Sequence, residues 1–272
     1  MNTPTYFRIV IILFTIGQLI TTTELLFLYN KGNFSDRGAF PWRIISLDIN
    51  TWLNNKYAAK ILDYLLNKYL LYILILELIL LTLLPFITIH TWTFTFVALI
   101  LVVCLLLIQL RTTYGGEGSD QMALILVVAI FLGLNKYSSQ LSEKYCLYFI
   151  AFQSCLAYET AGVAKIISKK WRSGEAVYQI FSTGSFGSLG FSSLLKRSGY
   201  LSLFLCWNVI IMEITFPLCL VVPLPFSYII LFWGVTFHLF NAVFMGLNSF
   251  FWLFTATYPA ILFVISNLNI YP

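Results

Sequence analysis

Residues 92–110 read WTFTFVALILVVCLLLIQL, a run of nineteen residues without a charged side chain. A membrane-spanning α-helix needs about 20 predominantly apolar residues to cross the hydrocarbon core of a bilayer. The neighbouring segment 69–89 is similarly apolar and contains one charged residue, Glu77. Both stretches predict helices that lie in lipid.

The composition of the whole chain agrees with these segments. Hydrophobic residues make up 60% of the 272, charged residues make up 10%, and the mean hydropathy is +0.86. Soluble domains carry about 25% charged residues, so we expect an integral membrane protein. The first apolar segment, Ile9–Leu28, is too long for the core of a signal peptide and is not followed by a small-residue cleavage site, so we expect it to be retained as a helix.

Apolar segments of spanning length predict an all-α polytopic bundle of about eight transmembrane helices, within a range of about seven to nine. The range reflects a short apolar run in the fourth segment and the absence of a charge between the last two. Because no internal repeat or low-complexity linker is evident, residues 1–272 are expected to form a single transmembrane domain. The predicted spans are 8–28, 69–89, 92–110, 122–138, 145–167, 200–222, 226–246 and 249–268.

Two longer connections separate some of these spans. In the first, 29–68, apolar residues between Ile45 and Leu66 recur at near-helical spacing among charged ones, which predicts an amphipathic helix on the membrane surface. The second, 168–199, runs from KKWRSGEAVYQIF into TGSFGSLGFSS. Its glycine and serine content favours turns, and hence a polar re-entrant or interfacial loop.

The charged residues and cysteines limit the partners that the chain can have. The 16 Lys and Arg residues are spread over short loops, so we expect contacts with membrane lipids and not with nucleic acid. Thirteen of them lie on the side of both longer connections, which the positive-inside rule would make cytoplasmic. The five cysteines form no CxxC pair and no cluster with histidine, so they are expected to pack as small hydrophobes, and no metal is expected.

Lys165 is the strongest candidate for a catalytic group. On a helix, Tyr158, Ala161 and Gly162 would share its face, leaving room beside the amine. Desolvation disfavours the charged form of a lysine near the membrane, and a neutral amine can act as a base. The alternative is a lysine that extends its amine to the membrane interface near a helix end, next to Lys169.

His238 and Glu213 are two further candidates, because ionisable residues within spans are functional candidates. His238 has Asn241 three residues later, and a histidine in a span can transfer protons, hold a ligand carbonyl or join a buried polar network. Glu213 lies four residues before Pro217 and can pair with Lys165 or His238. A structural role is open for both.

Several of these residues belong to a pattern whose spacing is kept over several predicted helices. Its members are Ala161-Gly162-Val163-Ala164-Lys165-Ile166, Trp171, Gly174, Glu213, Phe237-His238, Asn241, Gly246, Phe250 and Pro259. With this pattern, residues 155–265 resemble the membrane domain of the vitamin K-dependent gamma-glutamyl carboxylase family, whose bacterial branch is called the horizontally transferred transmembrane (HTTM) domain. The first half of the chain agrees more loosely.

The resemblance implies a chemistry for Lys165. In the carboxylases the lysine at this position is taken to deprotonate vitamin K hydroquinone, and oxygenation then yields a strong base that removes a proton from a substrate glutamate before CO2 adds. The resemblance therefore implies an enzyme of the bacterial cytoplasmic membrane that uses a vitamin K or menaquinone-type quinol on a peptide or protein. The implied catalytic residues are Lys165, His238 and Glu213, and the implied cofactor-binding residues are Tyr158, Gly162, Trp171 and Asn241.

Two departures limit the transfer of function. The carboxylase histidine near the end of the fourth helix is replaced by Asn135-Lys136-Tyr137, and the 272 residues hold no counterpart of the large extramembrane domain. The family's reactive face is also extracytoplasmic, opposite to the positive-inside prediction, so the orientation stays open.

One alternative is a non-catalytic partner subunit in a peptide-toxin maturation, export or immunity system. Another is a transporter, which predicts inverted repeats and broken helices.

Overall fold

A computed structural model of the protein describes residues 3–52, 55–113, 118–184 and 187–268. Within these ranges the chain is helical and contains no β-strand, which confirms the predicted all-α class. The α-helices are α1 (Thr3–Asn30), α2 (Trp42–Trp52), α3 (Lys56–Asp63), α4 (Leu70–Leu83), α5 (Trp92–Arg111), α6 (Gly118–Leu134), α7 (Gln140–Ile167), α8 (Lys169–Arg172), α9 (Glu175–Phe181), α10 (Leu189–Arg197), α11 (Gly199–Thr215), α12 (Leu224–Met245), α13 (Asn248–Thr255) and α14 (Tyr258–Leu268).

Among the described residues, five helices are long and apolar enough to cross a membrane, and a bent pair would make a sixth. Their length and composition support an integral membrane protein. Helix α6 is apolar but shorter, with 17 residues. The count of eight spans stays a prediction. The five are Thr3–Asn30, Trp92–Arg111, Gly199–Leu220, Leu224–Met245 and Asn248–Leu268.

The bent pair replaces the second predicted span. Its helical parts, Tyr57–Lys68 and Leu70–Phe86, meet at an angle of 73°. The first part ends in a π-helical turn, Tyr64–Lys68, whose extra residue interrupts the regular hydrogen-bond ladder. The helix predicted near 45–66 is therefore divided among α2, α3 and this turn, and residues 53–54 lie outside the described part. Its position on the membrane surface stays a prediction.

Contacts divide the chain into two compact units, one of which is Ile11–Cys146. In this unit Arg111 is buried, with its guanidinium 4.9 Å from the ring centre of Phe34. Its Nη2 donates to the backbone oxygens of Phe34 at 3.1 Å and Phe40 at 2.8 Å, and its Nε donates to that of Leu66 at 3.2 Å. One cation thus joins the end of α5 to the loop after α1 and to the π-helical turn.

The other unit holds the residues up to Val10 and those from Leu147 onward. Its segment 168–199 contains three short helices, α8 to α10, so the predicted turns are confined to the residues between them, and residues 185–186 lie outside the described part. Pro217, which cannot donate a backbone hydrogen bond, lies in a 3-10 turn at Phe216–Leu220 that continues α11. The single domain expected over 1–272 stays a prediction.

Candidate active site

The site begins where α7 packs closely on α11. A Cβ added to Gly162 would lie 2.7 Å from Cγ1 of Ile214 and 2.9 Å from its backbone nitrogen, which is closer than real Cβ atoms approach. Glycine therefore permits this helix contact. Gly162 was expected to bind a cofactor, but the structure places it in helix packing, outside the lining of the cavity described below.

An ion pair forms one turn after this contact. Nζ of Lys165 donates to both carboxylate oxygens of Glu213, at 2.8 Å and 2.7 Å. The Glu213 side chain is 5% exposed and that of Lys165 is 20% exposed. The amine also lies 5.2 Å from the ring centre of Trp171, within the range of a cation–π contact. Of the two partners expected for Glu213, Lys165 and His238, the structure therefore pairs it with Lys165.

Lys165 also lines a cavity of about 340 Å³, which is near the lower end of the range of about 300 to 1,000 Å³ typical of small-molecule sites. The walls are predominantly apolar and aromatic, with a few polar groups among them. Such a lining suits a flat apolar ligand that carries a small number of hydrogen-bonding atoms. The lining residues are Lys165, Trp171, Val177, Ile180, Phe181, Leu205, Asn208, Val209, Trp233, Thr236, Phe237, Phe240, Asn241 and Met245.

A second polar group is buried between α7, α12 and α14. The hydroxyl of Tyr158 lies 2.7 Å from Nε2 of His238 and 2.8 Å from the hydroxyl of Tyr258. The Tyr158 ring stacks on Phe216 at 3.7 Å, and His238 stacks on Phe254 at 4.7 Å between ring centres. These contacts hold the three polar side chains in fixed positions. Neither Tyr158 nor His238 is part of the cavity lining.

Gly234 makes room for this network on α12. A Cβ added to Gly234 would overlap the hydroxyl of Tyr258 and would lie 3.0 Å from the ring of Phe216. The absence of a side chain at Gly234 therefore leaves the space that the Tyr258 hydroxyl fills. His238 Nδ1 is buried and has no hydrogen-bond partner among the described residues.

The predicted site residues thus divide between different places. Lys165, Trp171 and Asn241 line the cavity. Glu213 is outside the lining and binds the amine of Lys165. Tyr158 and His238, one predicted as cofactor-binding and the other as catalytic, belong to the adjoining phenol–imidazole network. The family resemblance implied one set of site residues, but it did not show which neighbouring helix covers each of them.

Most lining residues were not predicted as site residues, and two of these form a polar contact. Nε1 of Trp233 donates to Oδ1 of Asn208 at 3.3 Å, so an indole and an amide from α12 and α11 meet at the cavity wall. Asn208 is a polar amide within an apolar span, which is a signal for an internal contact that the sequence already carried. Trp233, Phe237 and Phe240 recur at spacings of four and three, which places them on one face of α12.

In the ion pair with Glu213, the ammonium of Lys165 can still donate a hydrogen bond to an anion or to an oxygen atom of a ligand. Lys165 donates two of its three N–H groups to Glu213, so one donor is left for a ligand. To act as a base, the ammonium must first lose a proton, and the carboxylate of Glu213 is the acceptor in contact with it. Among the described residues, no group of three or more His, Cys, Asp or Glu side chains could hold a metal ion.

No family model matches the chain. No curated protein and no solved structure matches it either. The carboxylase resemblance of residues 155–265 therefore stays a prediction, and the case for function depends on the geometry of the cavity and its ion pair.

Proposed function

We propose that the protein is a quinol-dependent membrane enzyme related to the vitamin K-dependent carboxylases, with Lys165 as its base and a peptide or protein as its substrate. The observation that carries this proposal is the position of Lys165, which lines an apolar cavity while its amine is held by a buried carboxylate. An intramembrane ion pair beside a ligand-sized cavity is a recognised functional arrangement.

The residues of the cavity fit a quinol-type cofactor. Rings of Trp171, Trp233 and Phe240 offer flat apolar surfaces on which a fused ring system can stack. The free N–H of Lys165 and the amide of Asn241 can hydrogen-bond to ring oxygens. When bound, such a cofactor supplies two acidic hydroxyl groups on an oxidisable ring.

The ion pair explains how a lysine can serve as a base here. With a ligand in the cavity, a proton would move from Nζ of Lys165 to the carboxylate of Glu213 along an existing hydrogen bond, which would leave a neutral amine and a neutral acid. The ligand would exclude water, and the transfer would then remove two buried charges, whose desolvation is costly. The neutral amine would accept a hydroxyl proton at Nζ, and the phenol–imidazole network links α7 to α12.

The proposal includes the wider architecture that the family resemblance implies. The chain would cross the bacterial cytoplasmic membrane about eight times, as an HTTM-like domain with membrane lipids as its surroundings. The segments 29–68 and 168–199 would lie at the membrane surface, where the second would meet the peptide substrate. Aromatic and basic residues such as Trp171, Lys170 and Arg197 suit that interface.

A titration with a soluble naphthoquinone tests cofactor binding. We expect saturable quenching of the fluorescence of Trp171 and Trp233, with an affinity at least about tenfold weaker in Lys165→Ala, which corresponds to about 1.4 kcal/mol. Lys169→Ala is the matched control, because Lys169 is exposed on the next helix and lies outside the cavity lining. Equal affinities for all three proteins, or no saturable quenching, would contradict the proposal.

A scaffold without catalysis, for example a partner subunit in peptide-toxin maturation, export or immunity, is the second candidate. The observation in its favour is that Lys165 and Glu213 satisfy each other without a ligand, as a structural ion pair does. Replacing a buried pair by apolar residues of similar volume often preserves stability. The double variant Lys165→Met with Glu213→Leu should therefore fold in either case, but it keeps biological function only if the protein is a scaffold.

A transporter is the third candidate, and the bent helix pair favours it. The helical parts Tyr57–Lys68 and Leu70–Phe86 meet at an angle of 73°. The naphthoquinone titration separates this candidate from the first, because a transporter needs neither a quinol nor the amine of Lys165 to bind one.

A further inference from the structure

A second buried carboxylate lies in the Ile11–Cys146 unit, on the apolar helix α4. Glu77 is 0% exposed, and its partners are side chains of α1. Nε2 of Gln18 donates to Oε1 of Glu77 at 3.1 Å. Oγ1 of Thr22 lies 3.0 Å from Oε2 of Glu77 and 2.8 Å from the backbone oxygen of Gln18. The candidate active site uses none of these residues.

Glu77 has no counter-charge in the described part of the chain. No Lys, Arg or His side chain there forms an ion pair with it. From α1 it is faced by uncharged amide and hydroxyl groups, and from α5 the titratable group that interacts with it is the thiol of Cys104. An isolated carboxylate in a water-poor interior is strongly disfavoured, and such a group usually becomes neutral.

The number of hydrogen atoms in the cluster can be counted. It has three close contacts: the Gln18 side-chain amide with Glu77, the Thr22 hydroxyl with Glu77, and the Thr22 hydroxyl with the backbone oxygen of Gln18. Each contact needs a hydrogen atom. Gln18 supplies the first through its amide. The hydroxyl of Thr22 has a single hydrogen atom and can supply only one of the other two. If Glu77 were ionised, the single hydroxyl hydrogen of Thr22 would be shared between the Glu77 carboxylate and the backbone oxygen of Gln18.

We infer that Glu77 is a proton-binding site and is a neutral carboxylic acid in the folded protein. The O–H of Glu77 donates to the Thr22 hydroxyl, which donates in turn to the backbone oxygen of Gln18. The side-chain amide of Gln18 donates to the carbonyl oxygen of the Glu77 acid. Each close contact then has its own hydrogen atom, and no charge is buried. The ligand of this site is a proton.

Further acceptors extend the cluster along α1. Oε1 of Gln18 and Oγ1 of Thr15 are buried and have no hydrogen-bond partner among the described residues. Thr15 and Gln18 are three residues apart, on the same face of the helix as Thr22. They add polar atoms without a partner to the face of α1 that carries the partners of Glu77. Carboxyl groups within spans are candidates for proton binding, and this assignment holds whether or not the protein binds a quinol.

Infrared spectroscopy of the full chain at neutral pH tests the inference. We expect a carbonyl band of a protonated carboxylic acid, which shifts in D2O and disappears in Glu77→Gln. Glu213→Gln is the matched control, because Glu213 is buried but paired with Lys165, so the band should remain in that variant. The absence of the band in the wild type, or its persistence in Glu77→Gln, would overturn the inference. Loss of the band on adding sodium chloride would also overturn it, since a metal cation would then be the ligand.

Thermal unfolding of the same variants gives an independent result. Glutamine reproduces the donor and acceptor of a neutral glutamic acid, so Glu77→Gln should keep its Tm within about 2 °C of the wild type. Glu213→Gln removes the charge that pairs with Lys165 and should lower the Tm. Unfolding of Glu77→Gln, or a loss of Tm as large as that of Glu213→Gln, would show that Glu77 is ionised.

Discussion

Glu213 and Glu77 are two buried glutamates on apolar helices, one in each compact unit, and they differ in what faces them. Glu213 meets an ammonium that satisfies both of its oxygens. Glu77 meets an amide and a hydroxyl, which carry no charge. The same residue type therefore holds a cation beside a cavity in one unit and a proton in the other. The partner, more than the depth of burial, decides the chemistry of an intramembrane carboxyl group.

The largest effect should come from breaking the charged pair on one side only. Lys165→Met leaves the Glu213 carboxylate buried without a partner, and we expect a loss of about 3 kcal/mol in the free energy of unfolding. Denaturant unfolding in detergent measures it. Lys169→Met, at an exposed position, should change stability by less than about 0.5 kcal/mol. A loss for Lys165→Met no larger than this control would mean that the ion pair does not form.

A smaller loss should follow from separating the helices that carry the pair. Gly162→Ala places a methyl group against Ile214, and we expect a destabilisation of about 2 kcal/mol from overpacking. The control is Gly190→Ala, because a Cβ at Gly190 meets no atom within 4 Å. Unfolding measurements on both should show the loss only in Gly162→Ala. Equal stability of the two variants would argue against close packing of α7 on α11.

The smallest effect concerns the uncharged site. Thr22→Val removes the acceptor of the Glu77 O–H and should lower the free energy of unfolding by about 1 kcal/mol. Thr23→Val is matched, since the Thr23 hydroxyl also bonds to the backbone four residues earlier but is exposed. We expect thermal unfolding to separate the two variants. A larger loss in Thr23→Val would contradict the role of Thr22 in the Glu77 cluster.

The sequence predicted the helical class, because apolar length along the chain identifies helices that can span a membrane. It gave Lys165 or His238 as the partner of Glu213, because charged and titratable groups are rare within spans. It left Glu77 without a partner, since Gln18 and Thr22 carry no charge and stand 59 and 55 residues away in the chain. Pairing at that separation depends on which helices pack together, and spacing along one helix does not contain this information.

The bend and the divided loops escaped prediction for a related reason. The π-helical turn at Tyr64–Lys68 lies in a sequence whose apolar spacing is continuous with the preceding helix. Arg111 donates to the backbone oxygen of Leu66, and this contact favours the π-helical hydrogen-bond pattern. Asn208 and Trp233 were not predicted as cavity residues, although each carries a hydrogen-bonding group within a predicted span.

The most direct test of the account is the quinone content of the protein purified in mild detergent, measured by mass spectrometry. The wild type and Lys169→Ala should each carry stoichiometric quinone. The double variant Lys165→Met with Glu213→Leu, which keeps the helices packed but lacks the amine, should lose it. Absence of quinone from the wild type, or equal quinone in all three proteins, would contradict the claim that the Lys165 cavity is a quinol site.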